Sequence, residues 1–367
     1  MPEKYISEVV LNNFRNYSQR AFSFCGGFNA IVGPNGRGKT SLLEAISLVT
    51  DARGLRGAQV SDMISQNGVK SDLPDDTLFS IFIKFNDGDK IVLLQKQDKK
   101  LIKFNEEQLR SSGILIKILK ITYFVPQMED FFLGARSNRI KFLDRTATLL
   151  FLGHGDDLRK YEFFLRERMK ILLTQASQSK WLDIVEKKIA ELGAAIADVR
   201  NRVLEHLNQI FSEHTTEFPT GHLHISGEVE NLFDTRRATE IEAAYRKILF
   251  SNRTLDAETK KTNFGVHRSN LSVFNSSNGL RAELCSSGEQ KMLLLSLIIV
   301  KAIFSKQINE GTPILLLDDM CSQIDTGTKN KLFLELKKLN IQIFITDTTE
   351  ESFRTLENFS DSKIIEL

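Results

Sequence analysis

The alternation of apolar and polar positions divides this chain into three stretches. Near the N-terminus, Ile6, Val9, Val10 and Leu11, then Phe22, Phe24 and Phe28, predict a β-rich start. Phe28-Asn29-Ala30-Ile31-Val32 reads as a short buried strand, and Thr40–Val49, apolar at 42, 45, 46 and 49, as a helix. Leu78–Phe85 alternates with a period of two; Asn86-Asp87-Gly88-Asp89 supplies a turn, and Ile91–Leu94 starts a return strand. Ile118–Val125 predicts another strand. From about 136 to 212 the period becomes helical, with one stripe at Leu158, Tyr161, Phe164 and Leu165. A second stripe runs through Trp181, Ile184, Val185, Ile189, Leu192 and Ile196. Residues 222–230 read as a strand and 238–251 as a helix. The last third alternates again: helix Met292–Ser305, strand Pro313–Leu317, helix Lys329–Leu339, strand Ile341–Ile345. Strands alternating with helices predict a mostly parallel sheet, so the helical middle is an insertion that splits one α/β domain.

Composition narrows the class without choosing a function. The 367 residues are 41% hydrophobic and 26% charged, as in a folded, soluble protein. A net charge of +2 neither requires nor excludes nucleic acid. Cys25, Cys285 and Cys321 lie too far apart for metal spacing and read as reduced thiols of a cytoplasmic protein. The six histidines are scattered; His222 and His224 share a strand face but lack further ligands. The first residues carry no signal pattern, and the longest apolar run, Met292–Phe304, is too short to span a bilayer.

Candidate chemistry changes the picture most. Gly33-Pro34-Asn35-Gly36-Arg37-Gly38-Lys39-Thr40, followed by Ser41, fits G-x-x-x-x-G-K-[ST] between a strand and a helix. Glycines let backbone N–H groups approach phosphate oxygens, Lys39 reaches the β- and γ-phosphates, and the Thr40 hydroxyl ligates Mg²⁺. The expected cofactors are therefore ATP and Mg²⁺. Ile314–Leu317 is an aliphatic strand ending in Asp318 and Asp319. At its mouth Asp318 would contact the metal and Asp319 would orient or deprotonate an attacking water. Ser286-Ser287-Gly288-Glu289-Gln290 opens the most apolar helix. Ser286 with Glu289 is a capping box, but the same start can present N–H groups to an anion. Its place before the two-acid strand matches the signature of ATP-binding-cassette (ABC) proteins, in which one subunit's signature closes on the other's nucleotide. Gln127 stands where that superfamily has its Q-loop glutamine, and Ser322-Gln323-Ile324-Asp325 where it has its D-loop. The switch histidine is missing; Thr346 occupies its position.

Taken in order, these motifs resemble the RecF family over nearly the whole chain. Phe14-Arg15-Asn16-Tyr17 is similar to its F-R-N-Y. Arg139–Arg145 is similar to the segment ending R-R-x-F-L-D, Tyr161–Arg168 to Y-x-x-x-L-x-x-R, Cys285–Lys291 to C-S-T-G-E-Q-K and Leu315–Asp319 to L-L-L-D-D. Gly265-Val266-His267-Arg268-Ser269-Asn270 departs from G-P-H-R-D-D, and Ile140 replaces an arginine. The resemblance implies an α/β fold: a P-loop ABC-type ATPase head with a mixed sheet, split by a largely helical lobe. The head is expected at 1–130 plus 265–367, the lobe at 131–264. It also implies a weak, DNA-stimulated ATPase of DNA repair and recombination. Such a protein forms a homodimer with ATP, binds duplex and gapped or single-stranded DNA, and acts with RecR and RecO mediators to load RecA, away from any membrane. Asn35 and Arg37 then face the second subunit. Between 136 and 170, nine Lys/Arg against five acids mark a candidate DNA face, with Arg136, Arg139, Lys141 and Arg145 as its contacts.

Three rivals fit less well. The ATPase subunit of an ABC transporter usually has a glutamate at position 319 and a histidine at 346. An SMC-type head needs a far longer coiled coil than this chain encodes. A non-hydrolysing nucleotide switch grades into the favoured reading, since Asp319 is one methylene shorter than glutamate.

Overall fold

The computed structural model describes all residues except 1, 51–53, 66–72, 74–75, 98, 110–111, 175–179, 215–216, 236–237, 309 and 321–323. Along the chain run β1 (Ile6–Phe14), β2 (Tyr17–Ser23), β3 (Phe28–Val32), α1 (Lys39–Leu48), the short α2 (Val60–Met63), β4 (Thr77–Phe85), β5 (Lys90–Lys96), β6 (Lys100–Phe104), β7 (Glu107–Gln108) and β8 (Leu119–Phe124). The helical stretch follows as α3 (Arg136–Leu150), α4 (His154–Leu173) and α5 (Lys180–Glu213), then β9 (Gly221–Ser226), α6 (Glu230–Thr235), α7 (Ala238–Ser251) and α8 (Arg253–Thr259). The chain ends with β10 (Asn270–Asn275), α9 (Ser287–Gln307), β11 (Thr312–Leu317), α10 (Thr326–Lys338), β12 (Gln342–Asp347) and β13 (Ser362–Glu366).

Contacts divide the chain into two compact units, Met1–Glu129 with Ile298–Leu367, and Asp130–Leu297. In the first unit the described strands form two sheets of opposite kind. A parallel sheet has the order β13-β3-β12-β11-β8, and an antiparallel one the order β2-β1-β4-β5-β6-β7. Central strands of a parallel sheet are covered on both faces, which is why β3 and β12 are buried at every position and read as apolar runs. The alternating β4 and β5 instead contribute Phe79, Ile81, Ile83, Phe85, Ile91 and Leu93 to a core shared with Leu42, Leu43, Ala45 and Ile46 of α1.

The second unit is helical around an antiparallel β9–β10 pair whose strands are separated in the chain by α6, α7 and α8. Its core joins Tyr161 of α4, Val185, Ile189 and Ile196 of α5, Tyr245 of α7, and Phe264 and Val266. The second predicted stripe is only partly right: Trp181 and Ile184 are 55% and 49% exposed, and the buried line begins instead at Leu182 and Val185. The expected return to the head at 265 also differs from the contact division, which groups 265–297 with the helical unit. The reason is pairing: β10 is zipped along β9 from Asn270–Ser226 to Asn275–Gly221. The residues before it are held by side chains of α3, α4 and α5: Arg136 donates to the Arg268 carbonyl, the Tyr161 hydroxyl bonds His267 Nδ1, and Arg200 donates to the Val266 carbonyl.

A candidate nucleotide site and its supports

The strand β3 delivers the chain to the glycine loop at the end of the parallel sheet. Gly36 (φ +83°) and Gly38 (φ +106°) have left-handed backbones that only glycine adopts cheaply. Space excludes a side chain at Gly38 as well, because a Cβ there would lie 2.6 Å from the Tyr17 hydroxyl. No side chain caps α1, so its first N–H groups remain available to an anion. Lys39 is buried, and its ammonium donates to the carbonyls of Gly33 (2.5 Å) and Pro34 (3.1 Å). Asn35 and Arg37 are exposed.

Strand β11 brings the two acids to the same place. The Thr40 hydroxyl donates to Asp318 Oδ1 at 2.9 Å, tying the loop to a residue 278 positions away. Thr346, at the end of the neighbouring β12, donates to the same oxygen at 2.9 Å and accepts the Asp319 N–H at 2.9 Å. Burial pushes the Asp318 carboxyl above its ordinary pKa, against the downward pull of the two hydroxyls and of the Arg56 and Lys39 charges. A buried carboxylate beside a threonine hydroxyl is an oxygen donor set that suits a hard divalent cation. The cleft, about 250 Å³, is lined by Asn35, Gly36, Gly38, Lys39, Thr40, Ser41, Gln127, Asp318 and Asp319, all expected from the sequence. Asn16, Arg56, Pro126 and Thr346 complete it. Gly33, Pro34 and Arg37 do not line it.

Asn16 belongs to a brace under the loop that motif reading did not reveal. Arg15 grips Glu44 of α1 with two 2.8 Å bonds, and Glu44 is fully buried. Asn16 donates to the Gly36 carbonyl (2.7 Å) and accepts from Ser41 (3.4 Å), while the Tyr17 hydroxyl donates to the Gly38 carbonyl (3.1 Å). Burial raises the Tyr17 pKa to about 12, which keeps the phenol a donor. The F-R-N-Y signal was legible; its target was not.

The predicted signature residues Ser286–Gln290 and the candidate DNA contacts lie in the second unit. Ser286 and Glu289 form the capping box in full: the Ser286 N–H and hydroxyl donate to Glu289 Oε2 (2.9 and 2.7 Å), and the Glu289 N–H returns to Ser286 Oγ (3.4 Å). Ser286, Ser287 and Gly288 are exposed. Gln290 is not available to a ligand; it is buried and donates its amide to the Cys285 carbonyl at 2.9 Å. In the stretch read as a D-loop, Ser322 and Gln323 lie outside the described residues, and Asp325 caps α10.

Two arginines assigned to a DNA face are internal struts. Arg139 is 7% exposed and spends its guanidinium on the carbonyls of Leu271, Phe132 and Gly134 and on Asn270 Oδ1. Arg168, fully buried, joins Glu186, Asp256, Thr262 and the Leu249 carbonyl. Asp144 is likewise occupied by Arg200 and His154. Arg159, Lys160 and Lys170 are paired with acids of their own helix. The exposed bases of this stretch are Arg136, Lys141 and Arg145 on α3 and Arg159, Lys160, Arg166 and Lys170 on α4; Arg136 also donates to the Arg268 carbonyl at 2.8 Å. The departures from the family pattern are structural too: Ser269 donates to Glu230, and Asn270 accepts from Arg139. Among the described residues no His, Cys, Asp and Glu cluster has the makings of a separate metal centre.

This architecture has close counterparts. The RecF/RecN/SMC N-terminal domain family matches residues 5–364. The DNA replication and repair protein RecF of Mesorhizobium japonicum is 32% identical over 363 residues, covering 96% of this chain and 94% of that protein. RecF of Rhizobium leguminosarum bv. trifolii is 33% identical with both chains covered fully. A solved structure of the recombination mediator protein RecF-ATPrS in the RecFOR pathway superposes with a TM-score of 0.83 at 26% identity, covering 99% of this chain and 96% of that one. With its two-acid cleft, its braced glycine loop and these full-length matches, the chain belongs to the RecF family of DNA replication and repair proteins.

Proposed function

We propose that the cleft binds ATP with Mg²⁺ and hydrolyses it to ADP and phosphate, and that this cycle controls a DNA-bound homodimer. The observation that carries the reading is the Thr40–Asp318 hydrogen bond, which joins the glycine loop to the two-acid strand in one cleft with Lys39 and Gln127. On binding, the Lys39 ammonium exchanges the Gly33 and Pro34 carbonyls for the β- and γ-phosphates. Thr40 and Asp318 would hold Mg²⁺, which would supply positive charge to offset that of the phosphates. Gln127 orients the attacking water and Asp319 accepts its proton. Asp319 is shorter than the glutamate common at this position, which favours slow turnover.

The site is completed by a second copy, whose exposed Ser286, Ser287 and Gly288 close on the γ-phosphate from a helix N-terminus. The dimer binds duplex DNA beside single-strand gaps in the cytoplasm and, with RecR- and RecO-like mediators, assists RecA loading. DNA stimulates turnover. Membership in the RecF family supports these roles; the exposed Arg136, Lys141 and Arg145 are the proposed phosphate contacts. The transporter-subunit reading is not favoured, because the matched relatives are DNA repair proteins. Sedimentation and ATPase rate with and without gapped duplex test the proposal. The wild type dimerises with ATP, Lys39→Ala loses ATP binding and dimer together, and Ser287→Arg keeps ATP binding but stays monomeric. A wild type that remains a monomer at saturating ATP, with or without DNA, refutes the sandwich.

A further inference from the structure

We infer that Thr346 is a positioning residue for hydrolysis, acting on the two acids and not on the nucleotide. This inference rests on the ATPase reading above. Where β11 ends, the Asp318 N–H still bonds the Phe124 carbonyl of β8, but the Asp319 N–H has left the strand ladder. Asp319 then adopts φ +50°, a left-handed backbone uncommon for a residue with a side chain. What the Asp319 N–H meets is the Thr346 hydroxyl, which in turn donates a hydrogen bond to Asp318 Oδ1. One fully buried hydroxyl thus accepts from one acid's backbone and donates to the other acid's side chain. Parallel pairing of β11 with β12, Leu317 opposite Ile345, sets this geometry, because the next residue on each strand falls at the same level. The hydroxyl holds the turn that aims the Asp319 carboxylate, while phosphate binding is carried by the glycine loop.

Valine has the shape of threonine without its hydrogen bonds. Thr346→Val should lower kcat about tenfold or more, equivalent to about 1.4 kcal/mol, while ATP Kd, measured by equilibrium titration, stays within about twofold. Thr346→Ser, which keeps the hydroxyl, should recover kcat to within about threefold of wild type. Three results overturn the inference: a valine variant with wild-type kcat, a valine variant whose ATP affinity falls as far as its kcat, or a serine variant no better than valine. If valine does not fold, judged by thermal melting, Thr346→Cys takes its place under the same criteria. Asp319→Asn separates the two levels. Should it turn over like wild type, the reading of Asp319 fails and the inference with it. Should it be inactive while Thr346→Val is fully active, only the inference fails.

Discussion

Replacing Arg139 with alanine separates a structural arginine from a DNA-contacting one. In the folded chain its guanidinium serves four acceptors, the carbonyls of Phe132, Gly134 and Leu271 and the amide oxygen of Asn270. All four are neutral, so the cation is held by hydrogen bonds without an opposing charge. Removing it strands buried acceptors at about 1–3 kcal/mol each, before relaxation and water entry reduce the sum. A net loss of about 3–5 kcal/mol is therefore expected, at the severe end for a single substitution. In a unit of this size that lowers its melting temperature by about 6–20 °C, readable by calorimetry on the full chain. Exposed Lys141 provides the contrast. Its alanine variant should melt within about 0.5 kcal/mol of wild type but reduce the slope of log K against log salt for duplex DNA by about one. An Arg139→Ala protein that melts like wild type and loses a unit of salt slope would refute the strut.

Asn270→Asp restores an acid opposite Arg139 and should raise the same melting transition by about 1–2 kcal/mol at neutral pH, a gain that disappears in acid as the carboxylate protonates; no change would show that Arg139 needs no counter-charge. Lys120 is buried in β8 with its ammonium on the carbonyls of Ser305 and Ile308, and burial lowers its pKa from 10.5 to about 8. Between those values the unfolded chain holds the proton and the folded one does not, so stability rises with pH there. Wild type should gain on Lys120→Met in thermal melts from about pH 8 to about pH 10; parallel curves would sink the idea. Gly38→Ala forces a Cβ against the Tyr17 hydroxyl and a left-handed backbone on alanine. It should weaken ATP binding at least about tenfold in equilibrium titration, with partial recovery in the Gly38→Ala, Tyr17→Phe double variant. Normal binding by the single variant would argue against the brace.

Much of the nucleotide site was readable because its recognition elements are contiguous. Loop 33–40 and the acids 318–319 each sit in one short run flanked by buried strands, where spacing and backbone geometry are coupled. The brace was only half readable. F-R-N-Y stands out as a motif, yet nothing in its spacing tells that Arg15 reaches Glu44 or that Asn16 reaches Gly36. Thr346 was visible only as the lack of a histidine. Arg139 and Arg168 were overread, because counting charge along 136–170 treats every lysine and arginine as solvated, and these two are buried.

Local pattern alone thus determined the class: strand, phosphate loop and helix, a second acid-tipped strand, and an insertion with helical period. These depend on interactions within a few residues, which the order of side chains encodes directly. Tertiary structure alone decided which charges are tools and which are struts. Arg168 looks like any helical arginine in sequence, but its partners lie 18 to 94 positions away and converge only when α5, α8 and the segment before β10 pack around it. The same holds for Thr346, whose hydroxyl meets Asp318 and Asp319 across two adjacent parallel strands. A buried polar group must find its partners, and which ones it finds depends on elements that the chain brings together from afar.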